Sequence, residues 1–294
     1  MIVASAPPGL RLRRQVRQAI PEVGPLAERF DHLLEVVEGL GSCVLALSGG
    51  IDSSFLLEVT SRVLGSRCVA VTAESAALPA WDRADAQHAG ASAESHGAAW
   101  RVIATRELDD PRYAMNPRSR CYFCKAQVYG RLGEIAREER LAHVIDGTNA
   151  TDAGSPDRPG MAAAAELAVR SPLAEAGLGK ADVRALARAL GMKDWDRPAS
   201  ACLSSRIPHG VRITPELLRR VEKAELGLRG LGFSQVRVRD LGGNARVEVD
   251  GPEIGRLLTN RALVDEIVRS AGFTAWTAAE YIGRGAGDIG DVPA

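Results

Sequence analysis

The sequence predicts an α/β protein: a doubly wound parallel sheet followed by a smaller C-terminal α+β domain. Three observations carry this. Four short apolar runs, "CVLALS", "RCVAVTA", "AAWRVIAT" and "AHVIDG", alternate with helical segments at the intervals of strand–helix–strand units. The first run stops at "SGGIDSS", a polar turn that leads straight into another apolar helix. After Thr214 the rhythm changes to a helix, two alternating strands, a helix and a last strand.

In chain order, residues 1–24 carry mixed charge and read as an irregular arm with one helical turn. Leu26 to Leu40 reads as an amphipathic helix with Leu26, Phe30, Leu33, Leu34 and Val37 on one stripe. "CVLALS" is apolar on both faces, as a central parallel strand should be, and "DSSFLLEVTSRVL" follows as a helix. Pro79 to Gly97 and Ser119 to Glu139 are the next helices. "TDAGSPDRPG" is loop chemistry, rich in Gly, Pro, Asp and Ser. Lys180 to Leu190 forms a helix closed by Gly191. "TPELLRRVEKAELGLRGLG" opens with Thr as N-cap and Pro in the first turn. "SQVRVRDLG" and "NARVEVD" form a hairpin, "PEIGRLLTNRALVDEIVRSAG" a helix, and "FTAWTAAE" the last strand. The expected division is an arm over 1–24, an α/β domain over 25–213 and an α+β domain over 214–294.

At 294 residues, two domains with real cores are affordable. Hydrophobic residues make up 46% and charged residues 25%, an ordinary soluble balance. Basic and acidic residues both number 37, so wholesale binding to nucleic acid or to an anionic membrane is disfavoured. No stretch reaches the ~18 apolar residues of a membrane span, and the N-terminus lacks the pattern of a secretion signal. The cytoplasm is the expected compartment, where five cysteines do not suggest a disulfide framework.

"SGGIDS" builds an anion site. Gly49 and Gly50 let backbone N–H groups converge, and the helix start adds partial positive charge. Ser48 and Ser53 offer hydroxyls. Asp52 would repel a bare phosphate, which points to Mg²⁺ between them or to an N-cap role. A Walker A loop would carry Lys after its last glycine, and this one does not. The stretch resembles the PP-loop of the ATP pyrophosphatase superfamily. That resemblance implies ATP cleavage between the α and β phosphates. It also implies that "DGTN", with Gly147, lies near the nucleotide and that Thr72 to Glu74 flank the adenine.

"RCYFCK" spaces Cys121 and Cys124 so that they can chelate a metal, ligate a cluster or cycle as a disulfide. Cys202 in "ASACLSSR" is a third thiolate. Cys43 and Cys68 lie inside strands and read as core residues. Three cysteines with an open position suit a 4Fe-4S cluster, against a structural zinc, with His209 as fourth ligand, or three unconnected thiols.

"RCYFCK", "DGTNATDAGSPDRPG", "VRSPLAEAGLGKADVRALARALG", "WDRPASACLSSRIPHG" and "VRVRD" together resemble the LarE family of ATP-dependent sulfur transferases. The resemblance implies adenylation of a carboxylate of pyridinium-3,5-biscarboxylic acid mononucleotide, conversion to a thiocarboxylate in nickel-pincer cofactor biosynthesis, and a homo-oligomer. Some members sacrifice a cysteine in the region of "SACLSSR". Others use three cysteines and a 4Fe-4S cluster, and this chain resembles the latter, with Cys202 a ligand. Lys125 can neutralise the ATP phosphates. Ser205 and Arg206 resemble residues near the substrate, with capping a helix or balancing an acid as the alternatives for Arg206. Arg237 and Arg239 alternate along one strand face; pattern alone suits a solvated face of a half-buried hairpin, and the resemblance implies a site for the mononucleotide phosphate. Glu225 is a further candidate for metal or substrate, or an exposed helix residue. Asp157 and Arg158 suit a hinge or a lid. The rivals are a tRNA thiolase, which needs an electropositive surface, an amide-forming synthetase, which leaves the cysteines unexplained, and a nucleotide sensor with a redox cluster.

Overall fold

The computed structural model describes residues 7–19, 24–154, 159–198 and 200–282. They fall into two compact units: Met1–Glu74 with Trp81–Thr105 and Cys121–Ala199, and Ser75–Ala80 with Arg106–Arg120 and Ser200–Ala294.

The first unit is built on a parallel sheet of β1 (Cys43–Ala46), β2 (Cys68–Glu74), β3 (Ala99–Ala104) and β4 (His143–Ile145), in the order β3-β2-β1-β4. Alternate residues of β1 serve opposite faces. Cys43 and Leu45 join Phe30, Leu33 and Val37 of helix Pro25–Gly39, Phe55 and Leu56 of helix Ile51–Leu64, and Val183 and Leu186 of helix Lys180–Ala189. Val44 joins Val69 and Val71 against Leu132 and Ile135 of helix Arg120–Glu138. With helices on both faces, β1 has no wet side and must be apolar throughout. Truncating the fully buried Leu45 to Ala would cost about 2–5 kcal/mol.

Within the arm expected over residues 1–24, the one helical turn is corrected to a longer helix. Pro8–Ala19 is a helix of 12 residues whose Leu12 and Val16 pack into the core. Their spacing of four places both on one face, a signal diluted by the four arginines between Pro8 and Ala19.

Strand order fixes where a ligand can sit. The chain runs β1 to β2 to β3 in one direction and then places β4 on the other side of β1. The loops after β1 and β4 therefore diverge at a switch point, the crevice that open α/β sheets use for ligands.

The second unit contains helix Pro215–Gly230, whose N-cap Thr214 accepts a hydrogen bond from the Leu217 N–H. Its sheet has the order β5 (Val236–Leu241), β6 (Asn244–Val249), β7 (Ala275–Glu280). β5 and β6 form an antiparallel hairpin closed by Gly242 and Gly243, both at positive φ (67° and 91°), as a two-residue I′ turn requires. β7 adds parallel to β6. The single helix expected from Pro252 is two helices, Ile254–Thr259 and Arg261–Ser270. At the break, the Thr259 hydroxyl and the Asn260 side-chain amide both hydrogen-bond backbone carbonyls of the first helix, competing with its continuation.

Candidate active site

The turn after β1 is held by its own hydroxyls. Ser53 Oγ donates to the Gly50 carbonyl (3.0 Å), accepts from the Ser48 N–H (3.2 Å) and lies 3.1 Å from Ser48 Oγ. Gly49 sits at φ 81°, and a Cβ there would come within 2.1 Å of the Asp82 carbonyl oxygen, so no other residue fits. Gly147, after β4, is equally constrained: a Cβ would lie 2.7 Å from the Ser53 nitrogen. The β4 loop thus lies directly on the start of helix Ile51–Leu64, whose first N–H groups have no partner within the helix. The N-cap, Gly50, supplies no side chain to them.

Asp52 enters the first turn of that helix half-buried, with Oδ1 lacking any hydrogen-bond partner. Burial and the charge of Asp152 push its carboxyl up to about 6, against the pull of Lys180, Asn149 and Arg184. Asp152 is itself paired with Lys180 at 2.8 Å, and its N–H is capped by Asn149 at 2.9 Å.

Asp146, just beyond β4, is 3% exposed yet well satisfied. It accepts from the Tyr129 hydroxyl, from Ser171 Oγ (2.8 Å), and from the N–H (3.0 Å) and Oγ1 (2.8 Å) of Thr148. Burial raises its pKa, but the Lys125 charge and these hydrogen bonds outweigh burial and hold the carboxyl below its usual range. Lys125 Nζ donates to the Tyr129 hydroxyl (2.7 Å) and lies 3.9 Å from Asp146 Oδ2. Tyr129 is pushed far up, first by burial and then by Asp146, so it remains a hydroxyl donor.

Cys121 and Cys124 stand three residues apart in the first turn of helix Arg120–Glu138, both of intermediate exposure and neither in a disulfide. That spacing puts them on one face. Thr72 is buried in β2, its hydroxyl accepting from Trp100 Nε1 at 3.1 Å. Cys43 and Cys68 are fully buried partners across β1 and β2.

In the second unit, six residues proposed from sequence meet: Cys202, Ser205, Arg206, Glu225, Arg237 and Arg239. Arg206 is fully buried and makes a two-pronged ion pair with Glu225, at 2.8 and 2.9 Å. Arg206 also binds the carbonyls of Ala201 (2.6 Å) and Cys202 (3.1 Å) and the Ser205 hydroxyl (2.9 Å), shaping the turn that carries the exposed Cys202. Arg239 donates to the Ser205 carbonyl (3.0 Å) and to Glu248 (2.7 Å). Arg237, 4% exposed, lies under the Tyr281 ring. Burial and the nearby Arg206 charge pull it down to about 10. Glu225 is therefore no exposed helix residue. It is fully buried and also accepts from the Val238 N–H at 2.9 Å.

No family model matches the chain. It is 40% identical to an uncharacterized protein of Synechocystis over 81% of its length and 87% of that protein's. It is 36% identical to the pyridinium-3,5-bisthiocarboxylic acid mononucleotide synthase of Lactiplantibacillus plantarum, over 84% of this chain and 89% of the synthase. The chain belongs to the LarE family. A more distant relative, 27% identical over 78% of the chain, is an uncharacterized protein of Methanocaldococcus jannaschii.

In this LarE-family chain the predicted residues form two sets. Ser48, Gly49, Gly50, Asp52, Ser53, Thr72, Lys125, Gly147, Cys121 and Cys124 belong to the first unit. Cys202, Ser205, Arg206, Glu225, Arg237 and Arg239 belong to the second. Among the described residues, neither unit gathers three or more His, Cys, Asp or Glu side chains into a metal-holding group. Nor is any described helix long and apolar enough to cross a membrane. Asp157 and Arg158 lie outside the described residues. Sequence reading passed over Tyr129, Ser171 and Asp152. Tyr129 was within reach, since it follows Lys125 by four residues on a helix. Ser171 had no local signal.

Proposed function

We propose that the chain is an ATP-dependent sulfur transferase that adenylates a carboxylate of pyridinium-3,5-biscarboxylic acid mononucleotide and converts it to a thiocarboxylate. The observation that carries this reading is the 36% identity, over nearly the whole of both chains, to a synthase whose name states the bisthiocarboxylated product.

In this reading the ATP phosphates rest on the turn from Ser48 to Ser53 and on the start of the helix behind it. A substrate carboxylate oxygen attacks the α-phosphorus, the bond to the β-phosphate bridging oxygen breaks, and pyrophosphate leaves. A sulfur nucleophile then attacks the acyl carbon and AMP departs. Asp52 suits Mg²⁺, because its orphaned Oδ1 is a hard oxygen donor in want of a cation. Lys125, steered by Tyr129 and Asp146, neutralises charge on the leaving pyrophosphate. In the second unit, Arg206 pairs with Glu225, Arg239 and Arg246 pair with Glu248, and Arg237 lies close enough to Arg206 to feel its charge. Arg237 and Arg239 are the residues we assign to the mononucleotide phosphate.

Thiolates at Cys121, Cys124 and Cys202 would hold a 4Fe-4S cluster. Such a cluster, when bound, supplies activated sulfide for the transfer. Supporting this, none of the three thiols is fully buried, unlike Cys43 and Cys68.

The test is anaerobic turnover with ATP and the biscarboxylated mononucleotide, reading pyrophosphate, AMP and thiocarboxylate together. Alanine at Cys121, Cys124 or Cys202 should keep pyrophosphate release and lose thiocarboxylate. Wild-type protein that forms no pyrophosphate with this substrate rejects the function. An iron-free protein that loses one sulfur per turnover rejects the cluster and makes Cys202 the sacrificed donor.

A further inference from the structure

We infer that Arg197 is a positioning residue that sets the direction of the Gly49–Gly50 peptide and so tunes the turn for pyrophosphate. This rests on the reading of that turn as a phosphate site.

Arg197 Nη1 donates to the Gly49 carbonyl at 2.7 Å and is ion-paired with Asp85. Its Nη2 holds Asp194 at 2.9 Å. Arg184 fixes the backbone of the same segment, donating to the Arg197 carbonyl (2.7 Å) and the Asp196 carbonyl (3.2 Å). Asp85 lies between Asp82 and Ala86 in helix Ala80–Glu94, the two residues whose backbone leaves no room for a side chain on Gly49. One guanidinium thus ties the turn to the helix that shapes it.

The consequence follows from peptide geometry. A trans peptide is planar, with its C=O and N–H pointing in opposite directions. Fixing the Gly49 carbonyl on Arg197 therefore aims the Gly50 N–H away from Arg197. Among the described residues that N–H has only a long contact, 3.4 Å, to Ser48 Oγ, so an anion can claim it. With glycine on both sides, the peptide would flip easily without the latch. Arg197 itself does not touch the anion in this scheme. Two carboxylates neutralise it, so its role is orientation and not charge.

The experiment is calorimetric titration of the full chain with magnesium pyrophosphate and, separately, with AMP. Arg197→Gln should weaken pyrophosphate about tenfold, the scale of one well-made hydrogen bond to a charged group, and leave AMP within about twofold. Arg197→Lys should recover part of the loss, since one ammonium reaches the carbonyl but cannot also span both acids. Unchanged pyrophosphate affinity in Arg197→Gln overturns the latch. Equal losses for pyrophosphate and AMP also overturn it, because they indicate general damage. If Arg197→Gln does not fold, Arg197→Lys decides alone: a loss of about threefold confined to pyrophosphate supports the latch, and any other result rejects it. Wild-type protein that binds neither ligand would instead sink the phosphate-site reading itself.

Discussion

Asp52 and Asp146 follow the two strands on either side of the switch in strand order, yet they are treated in opposite ways. Asp146 is nearly inaccessible and receives four hydrogen bonds plus the charge of Lys125, so it stays ionised below the usual carboxylate range. Asp52 keeps one oxygen without a partner and is pushed up to about 6. The difference separates structure from readiness. A carboxylate that organises its neighbours is fully satisfied by them. Asp52, left short, is the one that the proposed function assigns to a cation.

The sharpest way to break this contrast is at Asp52. Asp52→Ala should lower pyrophosphate release at least about 10³-fold in turnover assays. Asp52→Asn should do the same while raising stability at pH 7 by about 1–3 kcal/mol. The sign follows from the raised pKa. The native chain binds the proton more tightly than the unfolded one, so this group's contribution is present below about pH 4 and is lost as pH rises towards 6. Urea unfolding across that window should slope downward in the wild type and be flatter in Asp52→Asn.

Asp146→Ala should act the other way, costing about 3–5 kcal/mol by stranding Lys125, Tyr129 and Ser171. Its lowered pKa means that its stabilisation is present above the ordinary carboxylate range and is lost as pH falls through the native value. A loss below about 1 kcal/mol would show that the network is not structural. Gly147→Ala sits between the two regions. Its Cβ would press on the Ser53 backbone, for about 1–3 kcal/mol and weaker nucleotide binding. The smallest effect is expected for Tyr129→Phe, about 1 kcal/mol, with acid unfolding moved to higher pH because Asp146 loses a donor.

Much of the first unit was legible. Unbroken apolar strands, glycines at a strand end and helical stripes are local patterns, and each element they predict is present between Pro25 and Ile145. The N-terminal helix was missed because its arginines hide a stripe of only two core residues, Leu12 and Val16. In the second unit, alternation put Arg237 and Arg239 on one strand face. Alternation could not say that Arg237 is buried beside Arg206, because that depends on helix Pro215–Gly230 bringing Glu225 underneath.

The sequence by itself determined the order of strands and helices, the glycine turn, and the residue types able to bind phosphate and sulfur, since short-range sterics and periodicity govern all of these. Only the tertiary structure decided which acid is satisfied and which is left short. It alone set Arg197 on a glycine carbonyl 148 residues away and closed Arg206 onto Glu225. Solvation and pairing depend on neighbours that are distant in the chain, and no local pattern encodes them.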